Sequence, residues 1–284
     1  KFTSILVFSN KEKFKNLIIY DSINKILNKN KVLAPNLYKE SYKKNYIEIQ
    51  DFGDDTIFKI LGKRGKNKFQ YFKKVINILN QIQSIKNRNT INFKNKKYIV
   101  PKYDKNILIK EANFFCDWYA KKILPKRKMK KFAKEFKKVI KKLALSLKLK
   151  NNIFVHRDFH VSNLMLVKNR IGVIDSQDAL IGNKAYDLAS LVDDVRFKTS
   201  IKFKNNIALI DSQDALIGNR AYDLASLIDD VRIKTSNKLK NQILNDYLKT
   251  LKKNEIKKFI NDFEILSVLR NLKIIGIFTR LAVR

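Results

Sequence analysis

A polar segment between two hydrophobic runs constrains the fold of this chain more than any other feature. It runs from His156 to Asn163 (HRDFHVSN) and directly follows the apolar residues 153–155. Four further apolar residues, a Lys-Asn-Arg turn and a second apolar run then lead to Asp175. Short apolar runs bounded by turn residues are typical of buried strands. The pattern therefore predicts a strand, a polar loop and a hairpin that brings Asn163 and Asp175 back to the same end.

The spacing of the oxygen-bearing side chains in this segment points to phosphoryl transfer. That reaction needs a carboxylate that orients the attacking hydroxyl and accepts its proton, and oxygen ligands that hold magnesium against the phosphates. Asp158 lies five residues before Asn163, and the predicted hairpin places it beside a metal held by Asn163 and Asp175. The same spacing occurs in the kinase pattern H-R-D-x-x-x-x-N followed by a metal-binding aspartate.

At these residues the sequence resembles the aminoglycoside phosphotransferase and choline kinase superfamily, whose catalytic loop reads H-x-D-x-H-x-x-N. Within it, the chain is most similar to the bacterial cell-wall amino-sugar kinases, which phosphorylate N-acetylmuramate and N-acetylglucosamine at the anomeric hydroxyl. Four further stretches carry this closer resemblance, which spans nearly the whole chain: 47–54 (IEIQDFGD), 100–104 (VPKYD), 111–119 (EANFFCDWY) and 263–281 (FEILSVLRNLKIIGIFTRL).

The resemblance implies an α+β, protein-kinase-like fold with two lobes. Residues 1–53 would form a small, truncated N-terminal β-lobe with the hinge, and residues 54–284 a mainly helical C-terminal lobe. The chain starts with lysine instead of methionine and has no glycine before Gly53. The glycine-rich loop that covers the ATP phosphates in this superfamily would therefore have to lie further upstream.

Hydrophobic periodicity predicts the elements that fill these lobes. Turn chemistry at 51–56 marks the connection between the lobes. Helical spacing predicts helices over 14–28, 68–86, 104–123 and 129–149, and β-branched and aromatic residues predict strands over 4–9 and 46–50.

The resemblance also implies an activity and a role for individual residues. The activity is transfer of the γ-phosphoryl group of ATP, with Mg²⁺, to a hydroxyl of a small molecule, namely an N-acetylated amino sugar of cell-wall recycling. Asp158 corresponds to the catalytic base, flanked by His156 and His160, and Asn163 and Asp175 correspond to the magnesium ligands. The remaining assignments are Gln50, Asp51 and Phe52 as the adenine-binding hinge, Asp187 as a buried brace of the catalytic loop, and Glu111, Asp117, Trp118 and Asp178 as contacts of a sugar pocket.

A tandem duplication offers a second choice of metal ligand. Residues 171–200 and 207–236 differ at only five positions, so Asp211 of the second copy is an alternative to Asp175. Using Asp211 would extrude about one repeat from the hairpin, and closing such a loop costs on the order of a few kcal/mol of chain entropy. We therefore expect Asp175 to be the ligand.

The formal net charge of +35 is the main argument for a different class of function. A basic chain can bind nucleic acid or an anionic membrane. The lysines here are spread along the whole sequence, however, and no nucleic-acid-binding motif accompanies them. We therefore expect neither of these partners. The single cysteine, Cys116, suits a reducing compartment, and the predicted location is the cytoplasm, with the oligomeric state left open.

Two alternatives keep the fold and change the function. In the first, the acceptor is an aminoglycoside, choline or another small alcohol. In the second, the chain is a non-catalytic kinase-like binding protein, which the lack of a glycine-rich loop before Gly53 favours.

Overall fold

The computed structural model of the chain describes residues 3–9, 16–63, 67–192 and 237–283. The end of the first repeat, the whole second repeat and Asp211 lie outside these residues. The choice of Asp175 over Asp211 therefore stays a prediction, as does the lobe boundary at residue 53.

The N-terminal part of the chain is a three-stranded antiparallel sheet with one helix against it. Its central strand, Tyr46–Gln50, pairs with both neighbours, and Ser4 lies opposite Gln50. Alternate residues of a strand face the same side, so Ile47 and Ile49 both pack against Leu17 of the helix. The strands β1 (Ser4–Phe8) and β3 (Tyr46–Gln50) and the helix α1 (Asn16–Lys29) confirm the prediction, and a strand that was not predicted, β2 (Leu37–Ser41), completes the sheet.

The rest of the described chain is mainly helical. Side-chain caps start three of its helices: the side-chain oxygens of Thr56, Asn67 and Asp104 each accept from the backbone N–H three residues further on. None of the helices in the described part of the chain is long and apolar enough to cross a membrane. The helices are α2 (Ile57–Gly62), α3 (Lys68–Gln83), α4 (Lys105–Ala112), α5 (Lys126–Leu145), α6 (Tyr186–Val192), α7 (Asn237–Leu248) and α8 (Lys253–Val283).

The helix predicted over 104–123 changes its winding in the middle. After α4, residues Phe115–Ala120 form a π-helical segment, and a last α-helical turn covers Lys121–Ile123. Gly276 of α8 packs directly on Phe114, since a β-carbon there would lie 2.3 Å from the Phe114 carbonyl carbon. π-Helical segments are inserted turns that are frequent at functional sites. Periodicity predicted the helix but not this insertion.

Three short strand pairs complete the fold. The hairpin predicted between Asn163 and Asp175 is confirmed, and its turn residues Lys168 and Asn169 have φ angles of 44° and 67°. Positive φ at both positions suits the right-handed twist of a two-residue hairpin. The pairs are β4 (Asn89–Ile91) with β5 (Lys97–Ile99), β6 (Asn151–Val155) with β9 (Leu180–Asn183), and β7 (Leu164–Val167) with β8 (Arg170–Val173).

The connection between the sheet and the helical part is attached to this hairpin. The Leu166 N–H donates to the Asp55 carbonyl (2.8 Å), and Thr56 forms a β-bridge with Met165. The ring of Phe52 packs on Gly172 so closely that a β-carbon at Gly172 would lie 2.7 Å from its Cε2 atom. The sheet connection therefore contacts both strands of the hairpin.

Candidate active site

A buried carboxylate holds the polar loop that follows β6. Asp187 of α6 is fully buried, and its carboxylate accepts hydrogen bonds from the backbone N–H groups of His156 (2.7 Å) and Arg157 (2.9 Å). Burial raises the pKa of Asp187 to about 6, although the His156 ring and the two N–H donors favour the ionised form. The loop conformation thus rests on a carboxylate that solvent does not reach.

The two histidines of the loop connect it to the hairpin. His156 is fully buried, and its Nε2 atom donates to the carbonyl of Ile174, 3.0 Å away, just beyond β8. His160 is also buried, and its backbone carbonyl accepts from the N–H of Asn163 (2.9 Å). Both residues therefore help to set the shape of the loop.

Asp158 lies partly exposed between these two histidines. Burial alone would raise the pKa of Asp158, but the positive charge of Lys273 and those of the basic residues in the loop outweigh this and lower it below its ordinary value. The side chain is therefore an ionised hydrogen-bond acceptor at neutral pH. That is the state required of a group that orients a hydroxyl and then accepts its proton.

Asn163 and Asp175 meet at the open end of the hairpin. The Asn163 Nδ2 atom lies 3.2 Å from the Asp158 carbonyl and 3.3 Å from Asp175 Oδ2, and Gln177 donates to Asp175 Oδ1 (2.6 Å). Asp175 is exposed and has a φ of 59°, a strained conformation common at functional sites. An amide oxygen and a carboxylate are hard oxygen donors that suit Mg²⁺, with phosphates and water as the other ligands. The pair therefore fits the implied metal.

A second ionic cluster lies behind the loop, with Glu111 at its centre. One Glu111 oxygen accepts from the Arg157 guanidinium, and the other accepts from the Tyr103 hydroxyl and lies 3.4 Å from Lys273 Nζ. The side chains of Glu111 and Lys273 are each only 14% exposed. Arg157 also donates to the Asp178 carbonyl (3.2 Å). The cluster joins α4, the loop and α8.

The other predicted sugar contacts lie in different settings. Asp178 is exposed, and its carboxylate is 3.8 Å from the Arg157 guanidinium, so the structure brings it to the loop. Asp117 is exposed and Trp118 half-buried in the π-helical segment. Neither side chain makes a hydrogen bond or ion pair with the rest of the described chain, so the structure does not join these two residues to the loop.

The predicted adenine hinge is ordered by local hydrogen bonds. Gln50 accepts from the Asn36 side chain (3.1 Å), and Asp51 Oδ1 accepts from the Gly53 N–H (2.7 Å) in a turn where Gly53 has a φ of 75°. Phe52 is largely buried against the hairpin. None of these contacts tests adenine binding, so the role of Gln50, Asp51 and Phe52 in it stays a prediction.

Two groups near the loop were missed in the sequence. Lys273 was not assigned a role, and its position inside the apolar stretch 263–281 was the one signal. Ser176 follows Asp175, and its hydroxyl donates to Asn24 of α1 (2.5 Å), both residues being buried. Burial, and to a smaller extent the charge of Asp175, raises the pKa of Tyr20 on the same helix to about 12. No short motif marks these contacts.

Comparisons with known proteins agree on one family. A model described as "Phosphotransferase enzyme family" matches residues 65–207. An N-acetylmuramate/N-acetylglucosamine kinase of Neisseria meningitidis is 38% identical over 96 residues, which are 34% of this chain and 29% of that protein. A protein of the same name from Pseudomonas aeruginosa is 27% identical over 57% of this chain and 45% of its own length. The match thus spans less than half the length of these relatives.

A solved structure confirms the predicted fold. The ethanolamine kinase of Plasmodium vivax superposes with a TM-score of 0.57 over 98% of this chain and 75% of that one, at 13% identity. At this low sequence identity, the superposition is evidence for the fold alone. The α+β, kinase-like arrangement of a small sheet region and a helical part is therefore correct.

Proposed function

Because this chain belongs to the phosphotransferase enzyme family, we propose that it transfers the γ-phosphoryl group of ATP to a hydroxyl of an N-acetylated amino sugar. One observation carries the proposal. Asn163 contacts the Asp158 backbone and the Asp175 carboxylate at 3.2 and 3.3 Å, so the residues that phosphoryl transfer requires share one end of the hairpin. The names of the two similar bacterial kinases support the choice of acceptor.

The protein side of the mechanism follows from the charge on Asp158. Its lowered pKa makes it a weak base, so its main task is to accept a hydrogen bond from the acceptor hydroxyl and align the oxygen with the γ-phosphorus. The hydroxyl proton passes to an Asp158 carboxylate oxygen as the new phosphorus–oxygen bond forms, while the bond from the γ-phosphorus to the β–γ bridging oxygen breaks and ADP leaves. Asp187 and the two histidines hold this carboxylate in place through the loop backbone.

Asn163 and Asp175 are the residues that would hold Mg²⁺. When bound there, the ion offsets the negative charge of the phosphates. The exposed position of Asp175 leaves its carboxylate accessible to such a ligand. The residues Gln50 to Phe52 would supply the backbone contacts of the adenine ring.

Phosphorus NMR tests the proposal directly. We expect the chain, incubated with ATP, MgCl₂ and N-acetylmuramate or N-acetylglucosamine, to give ADP and an anomeric sugar phosphate. Choline and an aminoglycoside in parallel reactions test the other acceptors. A product from one of these, and none from the sugars, would refute the amino-sugar assignment.

A substitution at Asp158 tests the catalytic assignment. Asp158→Asn should lower kcat by about 100- to 10,000-fold, the usual contribution of a positioned acid–base group, while the far-UV circular dichroism spectrum is unchanged. Glu135→Gln, which neutralises an exposed acid on α5, is the matched control. Retained turnover in Asp158→Asn would reject Asp158 as the base.

A further inference from the structure

The residue next to Asp158 has an unusual backbone conformation. Arg157 has a φ of 74°, in the left-handed region that residues with a β-carbon rarely adopt. It directly precedes Asp158, so its φ and ψ angles set the direction in which the Asp158 side chain leaves the loop. Something must therefore hold Arg157 in this conformation.

The side chain of Arg157 is fixed on three sides. Its guanidinium donates to a Glu111 carboxylate oxygen and to the Asp178 carbonyl, and it lies 4.9 Å from the ring centre of Tyr103. The side chain is only 12% exposed. A buried guanidinium with an ionic partner has little freedom to move, and its backbone is correspondingly restricted.

Glu111 has little capacity left for a substrate. One of its oxygens takes the Arg157 guanidinium, and the other takes the Tyr103 hydroxyl with Lys273 at 3.4 Å. Lys273 belongs to α8, and the same lysine makes the largest charge contribution to lowering the pKa of Asp158. Glu111 therefore connects the loop to the helix whose charge acts on Asp158.

We propose that Glu111 is a positioning residue: by fixing the Arg157 side chain it holds the Arg157 backbone in the left-handed conformation that aims Asp158 at the acceptor hydroxyl. The proposal rests on the proposed phosphotransferase function for its kinetic readout. It replaces the sequence-based expectation that Glu111 contacts the sugar, and the two ideas differ in which kinetic constant the residue controls.

Glycine at position 157 separates the two ideas, because glycine adopts a positive φ without support. Four variants are needed: Glu111→Gln, Arg157→Gly, Arg157→Ala and the double variant Glu111→Gln/Arg157→Gly. Glu135→Gln again controls for the loss of an acidic charge. For each, kcat and the KM for the amino sugar are measured.

We expect Glu111→Gln to lower kcat by at least about tenfold, since small errors in positioning have large effects on rate, and to change KM by less than about threefold. In the Arg157→Gly background the same substitution should change kcat by less than about threefold. Arg157→Ala should have a lower kcat than Arg157→Gly, and this comparison holds even where Glu111→Gln fails to fold. The proposal would be overturned if Glu111→Gln raised KM equally with arginine and with glycine at position 157. It would also be overturned if Arg157→Ala and Arg157→Gly had equal kcat.

A stability measurement keeps this test separate from the test of the function itself. If the unaltered chain turns over no acceptor, the proposed function fails and the kinetic comparison falls away. In that case urea unfolding tests the positioning role. The folding equilibrium constant of Arg157→Gly should exceed that of Arg157→Ala by about threefold or more. Equal constants for the two variants would overturn the positioning role without reference to turnover.

Discussion

The two sides of the candidate active site differ in how far their carboxylates are exposed to solvent. On the inner side, Asp187 is fully buried with two backbone donors, and Glu111 has three donors around it. On the outer side, Asp175 is exposed and Asn163 half-exposed, and the two Asp175 oxygens accept from the side chains of Asn163 and Gln177. The carboxylates of the inner side are therefore shielded from water, while that of the outer side is open to ligands.

This difference separates residues that shape the loop from residues that bind. A buried polar group needs its partners in the folded protein, because an unpaired one is destabilising. An exposed carboxylate is solvated and can exchange water for a metal ion or a phosphate-bound ligand. Substitutions on the inner side should therefore change stability, and those on the outer side should change only ligand binding and turnover.

The largest effect on stability is expected where α8, the helix that carries Lys273, packs against Phe114. Gly276→Ala places a β-carbon 2.3 Å from backbone carbon and 2.5 Å from backbone oxygen of Phe114, and backbone cannot move aside cheaply. We expect a loss of at least about 3 kcal/mol of unfolding free energy, at the upper end for overpacking. Gly62→Ala, with no atom within 4 Å, should change it by less than about 1 kcal/mol. Similar values for the two variants in urea would contradict this packing.

The buried carboxylate of Asp187 should make stability depend on pH. Because its folded pKa, about 6, lies above the ordinary value of 3.8, the folded state binds more protons than the unfolded state between these values. This residue therefore removes stability as the pH rises from 4 to 7, by up to about 3 kcal/mol. Asp187→Asn lacks this effect, so its stability relative to the unaltered chain should increase over that range. Urea unfolding at pH 4, 5, 6 and 7 measures the difference, and a constant difference would refute the raised pKa.

A smaller effect should mark the boundary between the two sides. Ser176 is buried and donates to Asn24, although its neighbour Asp175 is exposed. Ser176→Ala leaves the Asn24 oxygen without that donor, and we expect a loss of about 1–2 kcal/mol. Chemical denaturation measures this loss. A change in unfolding free energy below about 0.5 kcal/mol would show that Ser176 behaves like the exposed residues of the outer side.

The smallest stability effect is expected at the outer side itself. Asp175→Asn should change the unfolding free energy by less than about 0.5 kcal/mol, as is usual for exposed positions, yet it should greatly weaken Mg²⁺-dependent turnover. Denaturation and a Mg²⁺ titration of the rate give the two numbers. Unchanged Mg²⁺ dependence would exclude Asp175 as a ligand and turn attention to Asp211.

The sequence predicted the outer side better than the inner one, for a physical reason. Asn163 and Asp175 are joined by one hairpin, and the period and turn residues of a hairpin are local signals. The strand, loop and hairpin were therefore found in the structure where they were predicted. The roles of these residues in catalysis and metal binding remain predictions.

The inner side depends on contacts between distant parts of the chain. Lys273 meets Glu111 only because α8 packs on α4, and the π-helical segment after Phe114 forms where Gly276 packs against it. Periodicity reports which face of a helix is buried but not which helix covers it. The short pair β4–β5 was likewise missed, since strands of three residues have too little alternation to detect.

The attachment of the hairpin to the sheet connection restricts how the sheet can move relative to the candidate active site. Leu166 and Met165 are joined to Asp55 and Thr56 through the backbone, and Phe52 is seated on Gly172. Because these three contacts fix the hairpin to the connection, the hairpin should not rotate relative to it. When a nucleotide enters, Asn163 and Asp175 should therefore keep their positions relative to the sheet connection, and the contacts of Asn163 and His156 should keep Asp158 beside them.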